Sequence, residues 1–276
     1  MCELCEKYGD NGGRWYLNPQ NYARPLYKKV EKGKEKEPMI LAELQGPFYY
    51  KPLIELKDDR EAFEKMREGY SKFHETMGGQ VVSLEDAKKM VDIAQPIARM
   101  DCICRRVTRA TLEDGKQRPR TCLGVGVGMF RWEEWPERYK GGVEFLSTEE
   151  TKEHIEHWHK RGMVITIMTF GTPYIGGICL CDYPDCLAIR MRLDYGIKPM
   201  LLKGHQVAKV NYEECIGCGT CAERCQFGAI KMEVTTKKSN IDMTRCFGCG
   251  VCAYACPQNA ISLIDREKLP ALKEEW

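Results

Sequence analysis

Two stretches decide the fold: Cys215-Ile216-Gly217-Cys218-Gly219-Thr220-Cys221-Ala222-Glu223-Arg224-Cys225 and Cys246-Phe247-Gly248-Cys249-Gly250-Val251-Cys252-Ala253-Tyr254-Ala255-Cys256. Each reads C-x2-C-x2-C-x3-C, and Pro257 follows the second. Extended to Ile230 and Ile261, the two share every cysteine, both glycines, one loop alanine and the closing Ala-Ile. This is an internal repeat and not a chance cluster. Cysteines at i, i+3 and i+6 on a glycine-rich loop place three thiolates on three corners of one cube. The fourth begins a short helix that points away, so it reaches the group held by the other repeat. Gly217, Gly219, Gly248 and Gly250 let backbone N–H groups approach sulfur. Ile216, Ile230, Phe247, Val251 and Ile261 supply an apolar sheath. Zinc sites space their cysteines as separated pairs, not as a triplet plus one, twice. The spacing therefore points to iron–sulfur clusters.

On these residues, the segment 207–265 resembles a bacterial-type ferredoxin domain with two [4Fe-4S] clusters. The resemblance implies a pseudo-twofold fold of two short hairpins and two short helices. It also implies one cluster on Cys215, Cys218, Cys221 and Cys256, and another on Cys246, Cys249, Cys252 and Cys225. Gln226 stands where that family usually has proline. Proline is not a ligand, so the cluster is expected to survive the change, with altered local rigidity, solvent access and potential. The resemblance covers about a fifth of the chain.

The whole chain has 276 residues, 16 of them cysteine. It is too long for a small disulfide-stapled module, and 43% hydrophobic with 30% charged residues excludes a fibrous or disordered chain. A net charge of +2 gives no global basic field for nucleic acid. Apolar stretches such as Met163 to Phe170 fall far short of the roughly 20 residues of a membrane span. Met1-Cys2-Glu3-Leu4-Cys5-Glu6-Lys7 has no apolar run behind a basic start, and the twin Arg105-Arg106 is too far inside to be an export signal. The expectation is a cytoplasmic protein with reduced, metal-binding cysteines.

Eight more cysteines lie upstream: Cys2, Cys5, Cys102, Cys104, Cys122, Cys179, Cys181 and Cys186. Their close spacings argue against random core thiols. A C-x-C in an extended segment turns both side chains to one face. Pro96 to Cys104 and Ile178 to Cys181 read this way, so two such strands can hold a metal between them. Cys122 opens what reads as a loop, Leu123-Gly124-Val125-Gly126-Val127-Gly128. Its glycines fit an approach to a cluster better than nucleotide binding, which lacks a strand-then-helix context. The arrangement of DCICR, TCL and ICLC, with MCELC and WYLNPQNY at the start, resembles the upstream part of larger ferredoxin-domain proteins of anaerobes that accompany redox complexes. Those proteins usually carry a denser cysteine group near Cys179, Cys181 and Cys186. A third site is expected on Cys102, Cys104, Cys122 and Cys186. A fourth, iron–sulfur or zinc, is expected on Cys2, Cys5, Cys179 and Cys181.

The expected architecture is α+β. It comprises a helical N-terminal region (1–95), a small mixed cysteine-rich middle domain (96–206), the ferredoxin-like domain (207–265) and a charged tail (266–276). The charge run from Lys28 to Glu37 reads as a solvated linker. Phe63, Met66, Tyr70 and Phe73 form a helical core stripe within Asp59 to His74. Ser83 caps a second helix that ends at Pro96. Ser147-Thr148-Glu149-Glu150 fits a capping box for a helix to Arg161, with Gly162 as its stop. Met163 to Phe170 then reads as a buried strand.

His154, His157 and His159 share the capped helix without a metal-binding spacing, and a structural role is expected. Trp132, Trp135 and Tyr139 read as core or cluster shielding. Arg105, Arg106 and Arg109 read as counter-charge to an anionic cluster, with a flavin phosphate as the alternative. The function expected is electron transfer through [4Fe-4S] clusters in a subunit of an anaerobic oxidoreductase complex. Its partners would be a ferredoxin-like donor and a catalytic oxidoreductase subunit, with no nucleic acid and no membrane span. The alternatives are an oxidoreductase whose active centre is an upstream cluster or a bound flavin, and an iron–sulfur redox sensor.

Overall fold

The computed structural model describes residues 2–22, 58–73, 78–102, 104–105, 120–126, 143–169 and 174–276. The Lys28 to Glu37 run, Arg106, Arg109, Val127, Gly128, Trp132, Trp135, Tyr139, Phe170 and the side chains of Tyr70 and Phe73 lie outside the described residues. The class is α+β.

Six antiparallel strands make the main sheet: β1 (Gly79–Val81), β2 (Ile97–Met100), β3 (Cys122–Val125), β4 (Glu144–Leu146), β5 (Val164–Thr169) and β6 (Ile175–Cys181). Their order is β1-β5-β6-β3-β2-β4. The period of two sorts their side chains between two faces. Leu123, Val125, Ile165, Ile167, Ile178 and Leu180 enter the larger apolar core. Val81, Val164, Cys179 and Cys181 enter a second cluster on the other side.

The larger core is covered by α3 (Leu84–Ile93) and α4 (Thr148–Lys160), together with α1 (Glu3–Tyr8) and the turn at Trp15 and Tyr16. Ser83 accepts the Asp86 N–H at 3.3 Å and starts α3. Ser147 and Glu150 form the expected capping box at α4, and Gly162 ends it at φ 96°. α2 (Arg60–Phe73) is capped by Asp59 and packs Phe63 and Met66 against Met191, Ile197 and Met200.

The boundary expected at residue 95 falls inside this unit, because β1 pairs with β5 and α1 shares the core of β2 and β6. Two further expectations differ from the fold. Cys122 lies in β3 rather than opening a loop, with Gly124 set directly against Gly177 across the sheet. The extended segment from Pro96 stops at Met100, so Cys102 follows the strand and Cys104 lies in a helical turn.

The C-terminal unit pairs β7 (Gln206–Val210) with β10 (Ile261–Asp265) and contains one hairpin, β8 (Ile230–Met232) with β9 (Ser239–Ile241). Thus one of the two hairpins that the resemblance implies is a pairing of the unit's first and last strands. α6 (Thr220–Arg224) and α7 (Val251–Ala255) follow the two cysteine loops, so the fourth cysteines, Cys225 and Cys256, end these helices rather than begin them as expected. Between the units lies α5 (Leu187–Leu193). The charged tail folds back: Arg266 is buried, donating to the carbonyls of Gly204 at 3.0 Å and Cys246 at 2.7 Å, and Trp276 packs on His205. Among the described residues, no helix is long and apolar enough to cross a membrane.

Candidate metal centres

Each cysteine loop of the C-terminal unit needs glycine at one sharp bend. Gly217 and Gly248 both sit at φ 71°, and a Cβ there would stand 2.3 Å from the Lys237 carbonyl and 2.0 Å from that of Gln206. These close approaches fold each loop around its own cavity. Cys215, Cys218, Cys221 and Cys256 line one cavity with Ile216, Met232, Pro257 and Ile261. Cys225, Cys246, Cys249 and Cys252 line the other with Phe227, Ile230, Phe247 and Val251. Cys225 and Cys256 each cross to the cavity of the opposite repeat, because α6 and α7 carry the fourth cysteine away from its own loop.

The donor set suits clusters with thiolate ligands. Ala229 and Ala260 N–H groups donate to Cys225 and Cys256 sulfur at 3.3 Å, and those of Ala208 and Gly248 to Cys246 sulfur at 3.4 Å. Such donors stabilise thiolate. The two cavities differ in solvation. Cys218 is exposed, and its thiol is lowered by the side chain and backbone of Thr220. In the other cavity burial pushes Cys249 up to about 12 and raises Cys252 and Cys246 as well. Thiols as buried as these ionise only with a cation to hold them.

Upstream, six cysteines form a closed ring of neighbouring thiols. Cys102 neighbours Cys104 and Cys122, Cys104 neighbours Cys186, Cys186 neighbours Cys181, and Cys179 neighbours both Cys181 and Cys122. The sheet explains half of it. Cys122 and Cys179 are direct partners across β3 and β6, and Cys181 is two residues on, on the same face. Thr166, opposite Cys179 on β5, meets Cys181 sulfur at 3.4 Å.

Cys102, then Cys186 and then burial raise the Cys104 thiol, as Cys122 first raises Cys179 and Cys179 first raises Cys181. Cys186 is lowered by Cys104 yet raised overall by Cys181 and burial, while Cys102 is lowered by Cys104 and Cys122. So many buried thiols cannot ionise together without positive charge among them. Arg105 supplies part of it. Burial opposes its charge, but Cys102, Asp182, Cys181 and Cys122 raise its pKa overall, and it bonds Thr121 and Asp182.

The ring contains all of the expected third set, Cys102, Cys104, Cys122 and Cys186, and adds Cys179 and Cys181. The expected fourth set is divided. Cys2 and Cys5 lie 3.4 Å apart and their neighbour is His205, whose Nε2 is 3.3 Å from Cys5 sulfur. Cys179 and Cys181 belong to the ring because β6 aligns them with Cys122. Nothing in the local sequence around His205 marks it as a partner of Cys5, which is 200 positions away.

On α4, burial holds His154 at about 4, and His159 donates to the Met163 carbonyl at 3.1 Å with its ring against Tyr254. His154 packs within the sheet unit, edge-on to Trp158, whereas His159 packs that unit against the C-terminal one.

Residues 202–268 match the family model of the 4Fe-4S dicluster domain. No curated protein matches the chain.

Proposed function

We propose that this chain is a relay for low-potential electrons, a subunit of an anaerobic oxidoreductase complex set between a ferredoxin-like donor and a catalytic subunit. Iron–sulfur electron transfer itself follows from the dicluster domain. When bound, each [4Fe-4S] cluster takes up and returns one electron, a task that needs no general acid or base from the protein.

The observation that carries the relay is the continuity of dry packing between the three cysteine sites. Cys221, Cys246 and Cys252 share one apolar cluster, with Cys225 and Cys256 packed against it. Cys225 and Cys249 also pack against a second cluster, which holds Cys181 and Cys186 of the upstream ring. The stacked rings of Phe227 and Phe247, 4.0 Å apart, lie in that second cluster. The chain thus spaces its sites closely, excludes water between them and offers counter-charge through Arg105. At the other end, Cys218 is exposed and Ile216 is 65% exposed, an apolar point of entry for a redox partner. The ring of six thiols fits a third cluster, since it offers more than the four thiolates a cubane needs.

Iron and acid-labile sulfide assays on anaerobically purified protein, with EPR during redox titration, test this. About 12 iron atoms per chain and interacting spins on reduction support three sites in series, whereas about 8 remove the third. Clusters that dithionite fails to reduce would end the relay reading. Anaerobic co-purification of a catalytic subunit tests membership of a complex.

A further inference from the structure

We propose that Cys2, Cys5 and His205 form a zinc site, separate from the iron–sulfur sites. The three ligand atoms lie within 4.8 Å of one another. Cys2 and Cys5 sulfurs are 3.4 Å apart, and Cys5 sulfur is 3.3 Å from His205 Nε2. A tetrahedral zinc with bonds of about 2.3 Å to sulfur and about 2.0–2.1 Å to nitrogen sets these separations at about 3.8 and 3.6 Å. The three side chains reach that geometry by moving outward by a few tenths of an ångström.

The surroundings are built for a ligand. Cys2 is 2% exposed, Cys5 3% and His205 7%. The turn that presents the thiols is closed by Cys5 and Glu6 N–H groups on the Cys2 carbonyl, at 2.9 and 3.1 Å. The imidazole is held edge-on between Tyr16 and Trp276, with ring centroids 5.6 and 5.1 Å away. Its second nitrogen, Nδ1, faces the Glu267 carboxylate at 4.0 Å. At that distance the carboxylate makes no direct hydrogen bond to the ring, but its negative charge lies by Nδ1, on the side of the imidazole away from Nε2.

The donor chemistry selects the metal. Two thiolates and one imidazole suit zinc, with solvent in the fourth position. They fall short of the four thiolates a [4Fe-4S] cluster takes, and Cys179, Cys181 and Cys186 of the ring belong to a different apolar cluster, on the other side of the sheet. A C-x2-C pair also serves as a redox dithiol, but the imidazole nitrogen 3.3 Å from Cys5 sulfur is a third donor that a metal uses and a disulfide does not. A metal here ties the start of the chain to the entry of β7. The exit of β10 is tied to the same place, because Arg266 N–H donates to the His205 carbonyl at 2.8 Å.

The test uses the full chain, purified anaerobically from zinc-supplemented medium. Elemental analysis is expected to give about one zinc per chain, and zinc-edge X-ray absorption a shell of two sulfurs with nitrogen or oxygen. The Cys2→Ser/Cys5→Ser double variant and His205→Gln should lose the zinc while keeping wild-type iron content and EPR signals. The wild-type absorption spectrum stands even if a variant folds poorly. Metal-free wild-type protein with a Cys2–Cys5 disulfide, iron lost in place of zinc, or an all-sulfur zinc shell would each overturn the proposal.

Discussion

Gln226 and Tyr183 join the two units of the molecule: the Gln226 side-chain oxygen accepts the Tyr183 N–H at 2.7 Å. The same amide donates to the Gly162 carbonyl at 2.6 Å. Proline, the residue the ferredoxin pattern leads one to expect here, can make neither bond. Gln226→Ala should therefore destabilise the junction by about 1–3 kcal/mol, two hydrogen bonds' worth, without loss of iron. Anaerobic denaturation with iron analysis checks it. Unchanged stability, or iron loss, would contradict this docking role.

The two glycines of the first loop should respond differently to alanine. At Gly219, φ is 80° but nothing lies within 4 Å of an added Cβ, so only the left-handed backbone costs, about 1–2 kcal/mol. At Gly217 the Cβ also runs into the Lys237 carbonyl. Gly219→Ala should retain its iron and Gly217→Ala should lose iron from the first cavity. Equal iron contents would show that the close approach is not limiting.

Phe247 stacks on Phe227 and lies under the Arg192 guanidinium at 5.3 Å, on the wall of the second cavity. Phe247→Ala should cost about 3–5 kcal/mol and admit water there. Iron release in air should quicken, while Phe247→Leu should sit between the two. The kinetics of bleaching at constant oxygen provide the measurement.

His154 gives a pH dependence with a definite sign. Burial first, and Arg99 second, lower its pKa to about 4, below the ordinary value of about 6.5. Between these values the unfolded chain binds a proton that the folded chain does not. Stability from this group is therefore full above about 6.5 and declines as pH falls toward about 4. His154→Gln should flatten that part of the curve relative to wild type. Parallel curves from anaerobic denaturation across this range would refute it.

The legible parts of this sequence are those in which neighbouring residues carry the whole constraint. Four cysteines and two glycines within eleven positions state a loop, its bend and its crossing helix, and Ser147 with Glu150 states a helix start. The upstream ring is different, because Cys122 meets Cys179 only through the pairing of β3 with β6. A register shift of one residue would turn the slipped strand's cysteine to the opposite face, away from its partner, and no local pattern encodes that register. His205 reaches Cys5 in the same long-range way. The three-residue strand β1, which erases the boundary expected at 95, is too short to leave a periodic signal.

Cys225 and Cys256 line each other's cavities, so the two repeats are clasped like the links of a chain. With a cluster in each cavity, neither repeat could part from the other, and damage to one cluster would free a strut in the loop that houses the second. Injury by oxygen in this unit should therefore spread from cluster to cluster, and repair must rebuild the pair together.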